Sequence, residues 1–187
     1  MARVGLSNFR FGVLTEASDG TPSYNGAHTP GKAISCNVDV SNNDAELYGD
    51  DVLVESDKTF SKATVTMGID DDDITTMATL LGHTVGTDGK MTRNANDTAP
   101  YVGLGRVVTK MVHGSYKYKV EFLYKVKFAE PSQENQTKGE NVEFSTPTIE
   151  GTASALLNGN WSVAESFDTK AEAIAFLEGL LAGTVSA

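Results

Sequence analysis

Four consecutive carboxylates, Asp70 to Asp73, form the densest run of hard-cation ligands in the chain. A calcium loop needs oxygen ligands at alternate positions, a glycine at its sharp turn and a closing bidentate glutamate. The fifth position counted from Asp70 is Ile74, and the required glycine and glutamate are missing, so the EF-hand pattern fails. Acids at the start of a helix, where the backbone dipole favours negative charge, explain the run more simply. His28, His83 and His113 are far apart and stand near turn residues. None has a cysteine at metal-ligand spacing, and all three read as exposed turn residues. Cys36 is the only cysteine; it excludes an internal disulfide and falls on an apolar strand face as a small core residue. Gly103-Leu104-Gly105 resembles the opening of a dinucleotide fingerprint, but no third glycine and no helix follow. Glycines inside a strand mark a bulge or a close backbone approach instead. No G-x-S-x-G elbow and no nucleophile–base pair can be assembled. The expectation is a protein that is not an enzyme and takes no metal or cofactor.

Two charge patterns remain. Lys117, Lys119, Lys125 and Lys127 alternate with aromatic and β-branched residues, which reads as the wet face of a strand and discourages unwanted edge pairing. The second is SNNDAELYGDDVLVESDK, Ser41 to Lys58, where Asp44, Glu46, Asp50, Asp51, Glu55 and Asp57 stand against one base, Lys58. It also carries Leu47, Tyr48, Val52, Leu53 and Val54, which a solvated loop does not need. The formal net charge of the 187-residue chain is -10, so it is a poor candidate for gripping a phosphate backbone. No apolar run approaches the ~20 residues of a membrane span. The start, MARVGLSNFRFG, lacks the apolar stretch of a secretory signal. A protein made and kept in a cytoplasm, or released from it by lysis, is expected.

The elements that position these residues follow from periodicity. Ile34, Cys36, Val38 and Val40 alternate with polar residues, as do Ala63, Val65, Met67 and Ile69, so a half-buried strand lies on each side of the acidic segment. Asp70 to Gly82 reads as a short helix with Ile74, Met77, Leu80 and Leu81 on its apolar stripe and Gly82 as C-cap. Asp88-Gly89 suggests a small hairpin. Tyr101 to Phe128 reads as a long hairpin turning at His113-Gly114-Ser115. In its second strand, Tyr116, Tyr118, Val120, Phe122, Tyr124, Val126 and Phe128 should share one face, and the four lysines with Glu121 and Leu123 the other. VEFSTPTIEGTASAL and SVAESF read as further strands, with Pro147 at an edge or bulge. The tail, 168–182, is a second helix with Thr169 and Glu172 at capping-box spacing and a stripe of Ala173, Phe176, Leu177 and Leu180. Glu16 to Gly31, rich in turn residues, reads within an N-terminal arm over 1–31, flexible or held by a partner. The fold class is α+β, mainly β: two packed antiparallel sheets, a sandwich or partial barrel, in one domain with a flanking and a C-terminal helix.

KAISCNVDVSNNDAELYGDDVLVESDKTFSKATVTMGIDDDDITTMATLLG and NANDTAPYVGLGRVVTKMVHGSYKYKVEFLYKVKFAEPSQENQTKGENVEFSTPTIEG resemble the major tail proteins of long-tailed, non-contractile bacteriophages. The order of strand, long acidic insertion, strand, helix ending in LLG, long hairpin and strand is similar to that family, as is the closing DTKAEAIAFLEGLL. The resemblance implies a tail-tube fold whose copies form six-membered rings. One sheet of each subunit joins its neighbours into a barrel around a lumen, and the rings stack into a tube through which duplex DNA passes. The implied partners are further copies of the chain, the tape-measure, tail-terminator and distal tail proteins, and transiently double-stranded DNA, with no membrane. The implied location is the virion tail, assembled in the host bacterial cytoplasm. On that reading Asn37, Asp39, Thr64, Thr66 and Glu143 face the lumen, where acidic or neutral side chains let DNA slide. Asp44, Glu46, Leu47, Tyr48, Asp50, Asp51, Leu53 and Val54 reach an adjacent ring, their acids meeting bases such as Lys117, Lys119, Lys125 and Lys127 on a face away from the bore. The alternatives are a tube subunit of a related secretion or tail-like machine and a non-catalytic β-sandwich binding module. The latter would need an aromatic platform, for which Trp161 is the only tryptophan.

Overall fold

The computed structural model describes residues 2–132 and 146–182. It is mainly β, with two helices, as the alternation predicts. The strands are β1 (Ala2–Glu16), β2 (Pro22–His28), β3 (Ala33–Gly49), β4 (Val52–Ile69), β5 (Thr84–Val85), β6 (Met91–Thr92), β7 (Tyr101–Val112), β8 (Ser115–Phe128), β9 (Thr148–Ala153) and β10 (Ser162–Phe167). The helices are α1 (Ile74–Leu81) and α2 (Lys170–Ala182). The large sheet is antiparallel, in the order β2-β1-β7-β8-β9-β4-β3, and β5 pairs β6 in a small second sheet.

The second edge of β8 is shared. Its first half pairs β10 through Tyr118 to Leu123, and its last residues, Val126 to Phe128, pair β9. There the sheet folds over, and β1 and β3, far apart in strand order, come together. The main core fills the space between the layers. Phe9 and Phe11 of β1, Val65, Met67 and Ile69 of β4, Val102 and Leu104 of β7, and Met77, Leu80 and Leu81 of α1 pack there. A second core lies behind β7 and β8, where α2 lays Ala173, Leu177, Leu180 and Leu181 on Tyr24, Val107, Val120 and Phe122.

Both helices are capped by their own sequence. Asp73 accepts from Thr76 N–H at 3.0 Å, and Gly82 takes the left-handed conformation, φ 78°. Thr169 and Glu172 exchange reciprocal bonds of 3.3 Å at the start of α2. One stripe residue departs from expectation: Ile74, in the first turn of α1, is 48% exposed, and Ala78 is buried in the stripe.

The N-terminal segment is not an arm. β1 lies inside the sheet between β2 and β7, and Phe9 and Phe11 are among the most buried side chains. β2 runs through the Gly- and Pro-rich segment because backbone ladder bonds ask for no particular side chain. Its one large residue, Tyr24, packs edge-on to Phe122 and donates from its hydroxyl to the Tyr124 carbonyl at 2.9 Å.

A bulge in β8 changes which residues share a face. Val102 pairs Val126, but Leu104 pairs Leu123, so Tyr124 and Lys125 together oppose Gly103. One extra residue reverses the alternation beyond it. Tyr118, Val120, Phe122 and Tyr124 therefore face α2, whereas Val126 and Phe128 point into the core between the layers. Gly103 is required here: a Cβ would lie 2.4 Å from Tyr24 Cε1 and 2.6 Å from Phe122 Cζ.

Candidate functional site

The acidic segment is the distal half of a hairpin. β3 and β4 pair from Ala33↔Ile69 to Gly49↔Val52, with small register shifts at Ala33/Ser35, Ser41/Asn42 and Leu47/Tyr48. Asp50 and Asp51 make the two-residue turn with φ 50° and 60°, the left-handed pair that a tight hairpin needs and that Asp tolerates. β9 accompanies β4 only as far as Ala63. From Ser41 outward the two strands have only each other among the described residues, and nine residues at ~3.4 Å each carry the tip roughly 30 Å beyond the sandwich. At the root, Phe60 stacks on Trp161, with ring centroids 4.5 Å apart and planes 9° from parallel. Trp161 thus braces the ribbon rather than forming a platform for a ligand.

The acidic insertion between the two predicted strands is thus itself strand, continuing both of them to the turn. Alternation is absent because neither face of the ribbon is dry, so no side-chain period records the strand. Leu47, Tyr48, Leu53 and Val54 are 59%, 61%, 47% and 64% exposed. Tyr48 stands directly across from Leu53, and its hydroxyl donates to Glu46 Oε2 at 2.8 Å. That bond to Glu46 raises the Tyr48 phenol above its ordinary value. Asp44 pairs within the ribbon with Lys58 at 3.5 Å. Glu46, Asp50 and Asp51 have no basic partner among the described residues.

The predicted polar positions of the flanking strands do converge. Asn37 pairs Thr66 and Asp39 pairs Thr64, on the face opposite Cys36, Val38, Val65 and Met67. Glu150 and Thr152 of β9 continue that face across the sheet, paired with Thr66 and Thr64. Sequence reasoning missed these two, although TIEGTA alternates buried and exposed residues in the required phase. Glu143 lies outside the described residues. Among the described residues β3 has a neighbour on one side only, so the outer edge of this polar three-stranded layer is open.

The lysines do not form one stripe. Lys117 and Lys119 stand on the inter-sheet face with Glu121, and the bulge turns Lys125 and Lys127 to the other side. Each is engaged within the chain: Lys117 with Asp168, Lys119 with Glu121 at 2.7 Å, Lys125 with Glu16 at 2.7 Å, and Lys127 5.5 Å above the Tyr101 ring. Burial alone would raise the Glu16 carboxyl; its bonds from Lys125 and the Leu157 N–H outweigh that and lower it. Lys127 also pairs across from Thr152, at the margin of the polar face, so it is not segregated from that face as expected.

Of the other candidate ligands, Asp73 is the helix cap and Asp70 accepts the Lys32 N–H at 2.6 Å. His28 and His113 are exposed. His83 is not an exposed turn residue: its side chain is 6% exposed, held between Asp97 at 2.8 Å and Glu130. The Asp97 bond raises the imidazole above its ordinary value against the opposing effect of burial, with Glu130 adding to it. No nucleophile meets this histidine in its hydrogen bonds. Among the described residues no group of three or more His, Cys, Asp or Glu is disposed to hold a metal ion. A charged pair between the layers, Arg106 with Glu121, leaves no trace in the sequence pattern, because a lone arginine in an apolar run carries no spacing signal.

No protein-family model matches the chain, and no curated protein matches it either.

Proposed function

We propose that the chain is a self-assembling structural subunit whose copies form rings that stack into a bacteriophage tail tube, a conduit for DNA. The observation that carries this reading is β3: a 17-residue strand, open on its outer edge among the described residues, polar on one face and prolonged into an exposed ribbon. Monomeric proteins blunt or cover long sheet edges, because an open edge templates pairing with another chain. An isolated two-stranded hairpin is marginal in water. Both features find their stability when neighbouring copies supply the missing strand and cover the ribbon.

Closure of the β9-β4-β3 layers of successive copies would leave Asn37, Asp39, Thr64, Thr66, Glu150 and Thr152 on one continuous wall. Duplex DNA carries one charge per ~1.7 Å of axis, and a wall carrying Asp39 and Glu150 offers few cations to hold it. Leu47, Tyr48, Leu53 and Val54 would be buried on contact with the next ring. The tube would join the tape-measure, tail-terminator and distal tail proteins in the virion, after assembly in the host cytoplasm.

The test is negative-stain electron microscopy of the purified chain at rising concentration, with the tail filament of virions that encode it traced in parallel. Rings with a central hole and stacked filaments are expected. A chain that stays monomeric, together with a filament wall built from another polypeptide, overturns the reading.

A further inference from the structure

Where β3 faces β7, β8 and β10, a cavity of about 500 Å³ lies between the layers. Its charged residues are unbalanced. Glu121 accepts from Arg106 Nη2 and from Lys119 Nζ at 2.7 Å, and Arg3 Nη2 lies 3.9 Å away. One carboxylate therefore answers three cations. Burial would raise the Glu121 carboxyl, but Lys119 and Arg106 outweigh it and hold it below its ordinary value, so it stays charged. The Arg106 side chain is only 9% exposed, and its Nη1 has no hydrogen-bond partner among the described residues. A buried guanidinium nitrogen without an acceptor is a costly state, and a second anionic oxygen relieves it. Asp39 borders the cavity, but its side chain belongs to the opposite, polar face.

We propose that this cavity is the socket for the acidic ribbon tip of a second copy, with Asp50 or Asp51 supplying the carboxylate that Arg106, Arg3 and Lys119 lack. The inference rests on the reading of the chain as a self-assembling subunit and names the contact that reading leaves open. Charge complementarity selects the occupant. Copies of net charge -10 repel one another, and association needs a place where the acids of one meet an excess of cations on the other. Lys117 and Lys125 are already neutralised by Asp168 and Glu16, whereas Arg106, Arg3 and Lys119 share the one carboxylate of Glu121. The socket also has apolar wall, with Trp161, Leu123 and the 46% exposed Val40 beside the basic groups. That mixture matches a tip where Tyr48 and Leu53 adjoin the aspartates. The contact is between copies, because Val40 lines the socket while the continuous ladder holds the tip of the same hairpin roughly 30 Å further out.

The lone cysteine makes the test direct, since Cys36 lines the socket. Val52→Cys places a thiol beside the turn at an exposed strand position. A disulfide needs Cα atoms within ~7 Å. Oxidation of the assembled V52C chain with copper-phenanthroline should give a series of covalent multimers on a denaturing gel. The same experiment on V52C/C36S, whose chains carry one thiol each, should leave the chain monomeric, because the partner thiol is gone. Arg3→Glu, at a side chain 71% exposed, should raise the concentration threshold for assembly at least ~10-fold, a loss of one well-formed charge contact.

If wild-type chain forms tubes and R3E forms them at the same threshold, or if V52C/C36S still cross-links through its single thiol to dimers, the socket assignment is overturned and the tube reading stands. If inorganic phosphate raises the melting temperature of the monomer through this cavity, and V52C yields no multimers, the occupant is a small anion and the assignment is again overturned. A wild-type chain that never associates overturns both.

Discussion

Replacing both Tyr48 and Leu53 by Ser removes the cross-strand apolar pair at the ribbon tip, and its expected consequence can be sized from exposure. Tyr48 is 61% and Leu53 47% exposed in the isolated subunit. Full burial of a side chain of this size stabilises by about 1.5–3 kcal/mol, so covering the remaining half of each contributes ~1 kcal/mol. The pair then contributes ~2 kcal/mol to each contact between copies, close to a 30-fold change in the association constant. The subunit's own fold should hardly notice. Neither residue belongs to either core cluster, and the Tyr48–Glu46 hydrogen bond is itself exposed. The expected result is an unchanged melting temperature by circular dichroism, with a threshold for sedimentable assemblies about 30-fold higher. Thr59→Ser, another exposed ribbon substitution, controls for changes that remove no large apolar surface. A double variant that assembles at the wild-type threshold refutes the argument that the exposed apolar residues are contact anchors. A variant that melts several degrees lower refutes the premise that the ribbon is independent of the core.

Two further outcomes concern the scaffold. Gly103→Ala should destabilise the subunit by about 1–3 kcal/mol, because the added Cβ meets the rigid rings of Tyr24 and Phe122 at 2.4 and 2.6 Å. For a chain of this size that is a drop of roughly 2–12 °C in thermal melts, whereas Gly114→Ala, with nothing within 4 Å of its Cβ, should cost only what its φ of 83° imposes. His83 faces Asp97 and Glu130, and its folded value is raised; its stabilising contribution is therefore complete below ~6.5 and disappears as pH rises through the folded value. Asp97 is lowered, chiefly by the His83 bond, so its contribution holds above ~3.9 and is lost as pH falls through its folded value. The melting-temperature gap between wild type and His83→Gln should shrink between about pH 6 and pH 9, and a constant gap would show that the charged imidazole contributes nothing.

By itself, the sequence determined whatever has one dry face and one wet face. Val38 against Asn37 and Asp39, or Val65 and Met67 against Thr64 and Thr66, announce strands because burial of alternate residues leaves a period of two. The caps Gly82 and Thr169–Glu172 were legible for a similar reason: each is satisfied by groups three or four residues away. The tertiary structure alone decided the rest. The ribbon tip has both faces wet, so its strands left no period, and only the backbone ladder that continues from β3 and β4 fixes them. β1 and β2 are strands because β7 offers an edge to β1, not because turn-rich residues prefer that state. The lysine stripe was broken by one bulge opposite Gly103, a consequence of the packing of Tyr24 and Phe122 from distant segments. Arg106 became a candidate only when folding set it beside Glu121, Lys119 and Arg3, which are brought together by ladder register and not by spacing along the chain. Interactions closed within a few residues are written in the local sequence, and those closed across sheet layers exist only once the layers have met.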